Sequence, residues 1–252
     1  MRVVVCTKQI PDPATEYKLE PDSHWLIRPS DQVLDDTDRY GVEMGLQLAQ
    51  GAEGSVTLVS MGPTGSMQGI RQALAMGATK AVVVDDADLR GSDALLTARV
   101  LAAAIEKEGF DLVIAGTEST DGYSGVVPQM VAELLDVPAL TYATKVEAGE
   151  GKVTIHRQTA DGYEVVEASL PAVVTVTAGV VEPRYPTFKG IMDAKKKPVE
   201  TPTLADLGVE PIIGQKVDDV SQAPARSAGA KIEDDGEAHL KIVELLAQKK
   251  VI

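Results

Sequence analysis

Short runs of branched apolar residues alternate with longer segments of helical period through the first half of this 252-residue chain. Residues 2–7 (Arg-Val-Val-Val-Cys-Thr), 55–60 (Ser-Val-Thr-Leu-Val-Ser), 80–84 and 111–116 (Asp-Leu-Val-Ile-Ala-Gly) predict strands. These runs are apolar on consecutive positions, the pattern of strands buried on both faces. Between them lie predicted helices over 37–50, 64–76 and 124–136, and one capped by Ser92 with Leu96, Val100, Leu101, Ala103 and Ile105 along its stripe. The acidic run Asp35-Asp36-Thr37-Asp38 opens the first helix, and Gly51 and Gly77 close the first and second. Strand–helix–strand alternation requires parallel pairing with right-handed crossovers, so the predicted class is α/β with a mostly parallel, doubly wound sheet. Hydrophobic residues are 44% of the chain and aromatics only 4%. Its core must therefore be built from Val, Leu, Ile and Ala.

Beyond Pro138 the pattern changes. Residues 145–157 and 163–169, with turn signals at 149–151 and 161–162, predict an antiparallel β extension, and 172–177 one further buried strand. The stretch 11–33 is polar and proline-marked, a long excursion or small hairpin with Trp25-Leu26-Ile27 as its apolar patch. The expected division is an α/β domain over 1–200 and a C-terminal arm over 201–252, ending in a helix near 237–249. So little of the arm is core-forming that it is expected to pack on another chain.

A net charge of −14 argues against nucleic acid and against an anionic membrane surface. No apolar run reaches membrane-spanning length, and the N-terminal residues lack the pattern of a secretory leader, so a soluble, cytoplasmic protein is expected. One cysteine, Cys6, excludes an internal disulfide framework, and His24, His156 and His239 have no metal-site spacing. No nucleophile–base set or paired carboxylates stand out. An electron carrier, whose cofactor does the chemistry, suits such a chain better than an enzyme.

The segment best suited to a ligand is the turn after the strand at 111–116. Gly116, Ser119, Thr120, Gly122, Ser124 and Gly125 are small, so backbone can approach a ligand, and the amides opening the next helix can hold a phosphate. Asp121 would repel that phosphate, so helix capping or ribose contact is its expected role. A turn whose hydroxyls only cap the helix reads equally well. Neither a GxGxxG nor a Walker loop is present. A second segment, 182–192 followed by lysines to 197, holds Tyr185, Phe188, Ile191 and Met192 among prolines and a glycine, which argue against regular structure. Phe188 is either an exposed anchor for a partner's pocket or a side chain tucked into the core.

Several motifs in series carry a family likeness. Ile155-His-Arg-Gln-Thr-Ala-Asp-Gly-Tyr-Glu164 and Leu170-Pro-Ala-Val-Val-Thr175 resemble the fingerprint of electron-transfer flavoprotein beta subunits, with Ala160 where that family usually has an acidic residue. Lys8-Gln-Ile-Pro-Asp12, Ala73-Leu-Ala-Met-Gly-Ala78, Glu182-Pro-Arg-Tyr185, Gly190-Ile-Met192 and Arg226-Ser-Ala-Gly229 match in the same order. The resemblance implies an adenine-nucleotide alpha-hydrolase-like fold and a heterodimer with an alpha subunit that holds most of the FAD. It implies a structural AMP on this chain, touching Cys6, Asp35, Asp36, Thr37, Asp38, Met61 and the run Gly116, Thr117, Glu118, Ser119, Thr120, Asp121, Gly122, Tyr123, Ser124, Gly125, Val126 and Val127. Members that bifurcate electrons hold a second FAD there and usually carry an Asp-Gly-Asp-Thr turn; Asp121-Gly122-Tyr123-Ser124 departs from it and favours AMP. The segment around Phe188 resembles the loop that docks acyl-CoA dehydrogenases of fatty acid beta-oxidation and related flavoenzymes, although the family's anchor is often Leu. Electrons would then pass towards a membrane quinone oxidoreductase. The competing reading is a universal-stress-type adenine-nucleotide sensor, which needs no flavin and leaves the arm and Phe188 unexplained.

Overall fold

The computed structural model describes residues 1–221, 223–224, 228–229 and 231–252; Arg226 and Ser227 of the last motif lie outside the described residues. The chain forms two compact units, Met1–Val217 and Asp218–Ile252.

Nine strands of the first unit make one sheet. In chain order they are β1 (Arg2–Cys6), β4 (Ser55–Met61), β5 (Lys80–Val84), β6 (Leu112–Gly116), β7 (Ala139–Gly149), β8 (Lys152–Thr159), β9 (Gly162–Ser169), β10 (Ala172–Val176) and β11 (Val199–Glu200). A separate two-stranded antiparallel ribbon joins β2 (Gln9–Ile10) to β3 (Val33–Leu34). The spatial order is β11-β5-β4-β1-β6-β10-β7-β8-β9. All pairings from β11 to β7 are parallel, while β7–β8 and β8–β9 are antiparallel. The expected α/β class and antiparallel extension are both present. β7 enters earlier than the sequence pattern suggests, because residues from Ala139 pair with β10 before the strand turns into the meander.

Alternate residues of each strand feed opposite faces. Val3, Val5, Leu58 and Ile114 pack with α1 (Asp36–Gly51) and α2 (Gln68–Met76), while Val4, Val59 and Val113 pack with α3 (Ala94–Glu108) and α4 (Val127–Leu134). The cap of α3 is Asp93, not Ser92: Asp93 Oδ1 accepts from the Leu96 amide, and Ser92 Oγ instead donates to Leu89 O.

The polar excursion is a strap over residues 11–32. The β2–β3 ribbon closes its root, and a bridge between Leu19 and Leu26 makes its tip a small hairpin. Two more helices complete the first unit, α5 (Phe188–Ala194) and α6 (Leu204–Leu207). That unit continues past residue 200, because β11 adds to the sheet and Leu204 is buried in the core on the α3 side. In the second unit α7 (Ala238–Gln248) buries none of its residues, and Leu240, Ile242, Val243 and Leu245 are all exposed. No helix among the described residues is long and apolar enough to cross a membrane.

Candidate functional site

Taking only the strands that alternate with helices, the order β5-β4-β1-β6-β10 reverses direction between β1 and β6. Chain connections leave that point toward opposite edges, which opens a crevice at the strands' carboxyl ends. Cys6 ends β1, Met61 ends β4 and Gly116 ends β6, so three residues separated by up to 110 positions meet at one edge of the sheet. The N-terminus of α1 and the 117–126 turn stand over them. This gathers the nucleotide-site residues named from the sequence.

Asp35 is the centre of the arrangement. It is buried; one carboxylate oxygen accepts from the amide (3.0 Å) and hydroxyl (2.8 Å) of Thr37, capping α1. Its other oxygen accepts from the amide (2.7 Å) and hydroxyl (3.1 Å) of Thr120, which ties that cap to the turn after β6. Thr37 Oγ1 also reaches the Glu118 carbonyl at 3.3 Å. Asp38, likewise buried, accepts from the Lys8 amide at 2.6 Å. Burial, then the Asp35 charge, push the Asp38 carboxyl well above the usual carboxylate range despite that hydrogen bond. The same surroundings push the Cys6 thiol up to about 12, through burial first and Asp38 second, so Cys6 lines the site as an apolar group and not as a thiolate.

Gly116 lies under this network. A Cβ there would come within 3.1 Å of Thr37 Oγ1 and 3.2 Å of Asp38 Oδ1, so glycine lets β6 end against the α1 cap. Asp36 points away, its exposed carboxylate paired with Arg39, and takes no part in the network. Tyr123 adopts a left-handed backbone (φ 47°), and Tyr123, Ser124 and Val126 are exposed on the turn.

Asp121 does not cap α4 and is instead held in ion pairs. Its side chain has no solvent exposure, Lys8 Nζ donates to Oδ1 at 2.7 Å and Arg28 Nη2 to Oδ2 at 2.6 Å. Helix α4 has no side-chain cap. Burial raises the Asp121 pKa, and the two cations outweigh it and hold the carboxyl below its ordinary range. Lys8 and Arg28 are site residues that sequence reasoning missed. They lie 113 and 93 positions from Asp121, beyond the reach of any local period, and only the match at Lys8 hinted at one of them. Two further polar atoms in this region are buried without a partner: Thr7 Oγ1 just beyond β1 and Gln129 Oε1 in the first turn of α4. Buried polar atoms are nearly always hydrogen-bonded, and these two are exceptions.

The second segment differs from expectation. Residues 188–194 are helical, with Thr187 Oγ1 accepting from the Gly190 amide at 3.0 Å. Gly190, read as a breaker, serves close packing instead, since a Cβ there would fall 2.5 Å from the Ala75 carbonyl at the end of α2. Arg71 Nη1 donates to the Ala194 and Lys197 carbonyls, and Lys197 Nζ to those of Leu74 and Ala78. Lys197 is thus a structural clamp, its pKa lowered chiefly by burial. Ahead of the helix, Arg184 Nε and Nη2 grip Glu43 on α1 at 2.6 and 2.9 Å. On this braced base Tyr185 and Phe188 are 85% and 82% exposed, and Ile191 and Met192 about half exposed, so Phe188 does not tuck into the core. Among the described residues no cluster could hold a metal ion.

Comparison with known proteins fits this geometry. Residues 24–207 match the model of the electron transfer flavoprotein domain family. The chain is 44% identical to the electron transfer flavoprotein subunit beta of Mycobacterium tuberculosis over 263 aligned positions, covering 99% of both chains. It belongs to the electron transfer flavoprotein beta-subunit family. The Megasphaera elsdenii beta subunit is 35% identical over the full length of both chains. The caffeyl-CoA reductase-Etf complex subunit CarD of Acetobacterium woodii is 36% identical over 84% of this chain and 81% of its own. As a beta subunit the chain works in electron transfer and has an alpha subunit as its partner.

Proposed function

We propose that this beta subunit holds a structural AMP in the crevice between β1 and β6 and forms with its alpha subunit, which carries FAD, a cytoplasmic shuttle that takes electrons from acyl-CoA dehydrogenases or related flavoenzymes. The electrons go on to a membrane quinone oxidoreductase. What supports the reading is the switch point itself: the small residues at and after Gly116 and the α4 N-terminus, which has no side-chain cap, stand at the carboxyl ends of β1 and β6. These residues fit an adenylate. Glycines leave room for its backbone contacts, and the α4 amides suit a phosphate. Cys6, its thiol pushed up to about 12, lines the floor without adding negative charge, and burial and the Asp35 charge push the Asp38 carboxyl up beside it. The AMP supplies no redox chemistry; bound, it fills the crevice and stabilises the platform.

Docking falls to the other face of the chain. A shuttle must release its donor quickly, which favours a small interface with one or two anchors. Phe188, exposed on a helix clamped by Arg71, Arg184 and Lys197, has the form of such an anchor. The exposed apolar stripe of α7 suits burial against the alpha subunit.

Two measurements test this. Acid extraction of the purified heterodimer should yield one AMP and one FAD; a second FAD in place of AMP would replace the occupant, and no adenylate beyond that of the flavin would remove the site. Phe188→Ala should weaken donor binding by about 2 kcal/mol with the fold unchanged. Unaltered electron transfer from every candidate dehydrogenase would remove the docking role.

A further inference from the structure

The crevice is an unusual place for a phosphate because acids surround it. Asp35 and Asp121 are both in the network, and Glu118 lies close enough that a Cβ on Gly125 would sit 3.3 Å from its Oε2. Two carboxylates on the turn, with Asp35 on the α1 cap beside it, would repel a phosphate. Two cations oppose them. Lys8 arrives directly after β1; besides Asp121 it donates to Ser119 Oγ at 3.3 Å, so it spans the turn. Arg28 arrives from the strap, and its approach is fixed at several points. Gln9 Oε1 at the root accepts from the Gly69 and Ile70 amides, the Ser66 amide donates to Ser30 O, and Arg90 pairs with Glu20 at the tip. The strap is therefore built to deliver one guanidinium to one buried carboxylate.

The geometry points to Lys8 and Arg28 as the residues that set the charge selectivity of this site: by neutralising Asp121 from both sides they let an acidic turn take a phosphorylated adenylate in preference to the neutral nucleoside. The inference rests on the adenylate reading above and deepens it. Both are positioning residues, acting on the ligand's phosphate through Asp121 and the field at the turn. Removing either cation leaves Asp121 less compensated, and the phosphate feels the difference while an adenosine does not.

The test uses the full-length chain co-purified with its alpha subunit, depleted of free nucleotide and titrated calorimetrically with AMP and with adenosine. Arg28→Gln and Lys8→Gln should each weaken AMP by about tenfold or more, with adenosine changed by less than about threefold. Arg28→Lys should restore most of the AMP affinity, which guards against a variant that has simply misfolded. The selectivity should also narrow as salt rises in the wild type and change less in Arg28→Gln. Equal loss of AMP and adenosine affinity would reduce the pair to a structural tie and overturn the assignment, as would no change in either. If the wild type binds neither ligand, the adenylate reading itself fails, a result distinct from a failure of selectivity.

Discussion

Arg184→Ala tests how the docking segment is held. Arg184 makes three hydrogen bonds to Glu43: Nε to Oε2 at 2.6 Å, Nη2 to Oε1 at 2.9 Å and its amide to Oε2 at 3.2 Å. The alanine variant keeps only the amide bond and leaves a carboxylate with 4% side-chain exposure in the middle of α1. Breaking a fully buried pair costs roughly 3–5 kcal/mol. Two features reduce that here: the Arg184 side chain is 34% exposed, and Gln47 Nε2 still donates to Glu43 Oε1 at 2.9 Å. About 2 kcal/mol is therefore expected, read from the midpoint of urea unfolding. The pH dependence carries its own check. Burial raises the Glu43 pKa, but the Arg184 and Gln47 hydrogen bonds outweigh it, and the carboxyl stays below its ordinary 4.5. A depressed carboxylate contributes stability that is present above about 4.5 and lost as pH falls through the folded-state value. The gap between wild type and Arg184→Ala should hence be full at neutral pH and close in acid. Hydrogen exchange of residues 183–194 should quicken in the variant. A midpoint shift below about 0.5 kcal/mol with unchanged exchange would refute the brace.

Asp38→Asn should act in the opposite direction with pH. Burial and the Asp35 charge raise this carboxyl well above the ordinary 3.8, so its contribution is present below 3.8 and is lost as pH rises through the raised value. The asparagine keeps an acceptor for the Lys8 amide, and its melting temperature should exceed the wild type's increasingly as pH rises from acid, by an amount equivalent to about 1 kcal/mol; a lead that shrinks with pH would contradict the raised carboxyl. Cys6, with its thiol pKa near 12, should resist alkylation at pH 8 in the native protein and react fully in urea. Prompt native-state labelling would show the β1 end to be open.

The sheet was legible in the sequence because its strands are buried on both faces, and a Val run such as Val3-Val4-Val5 has few other homes. The turn at 116–125 was legible for a related reason: small residues between a strand and a helix restrict what can sit there. Phe188 and its neighbours were found as exposed apolar residues but not as a helix. Gly190 and Pro186 read as breakers, whereas the pressure on Gly190 is the Ala75 carbonyl, 115 positions earlier. The ion pairs of Asp121 with Lys8 and Arg28 were not legible, because an acid on such a turn makes sense only once its partners are known. Those partners reside on β1's exit and on the strap, and no periodicity connects them.

The reversal of strand order between β1 and β6 has a consequence for how the protein matures. A ribosome must deliver everything from Cys6 to Gln129 before the crevice has a floor and two walls, since β6 and the turn after it supply one side. A nascent chain shorter than that has only part of the crevice. Any ligand held at that point would then add stability only to molecules whose strands β1, β4 and β6 have already found their register.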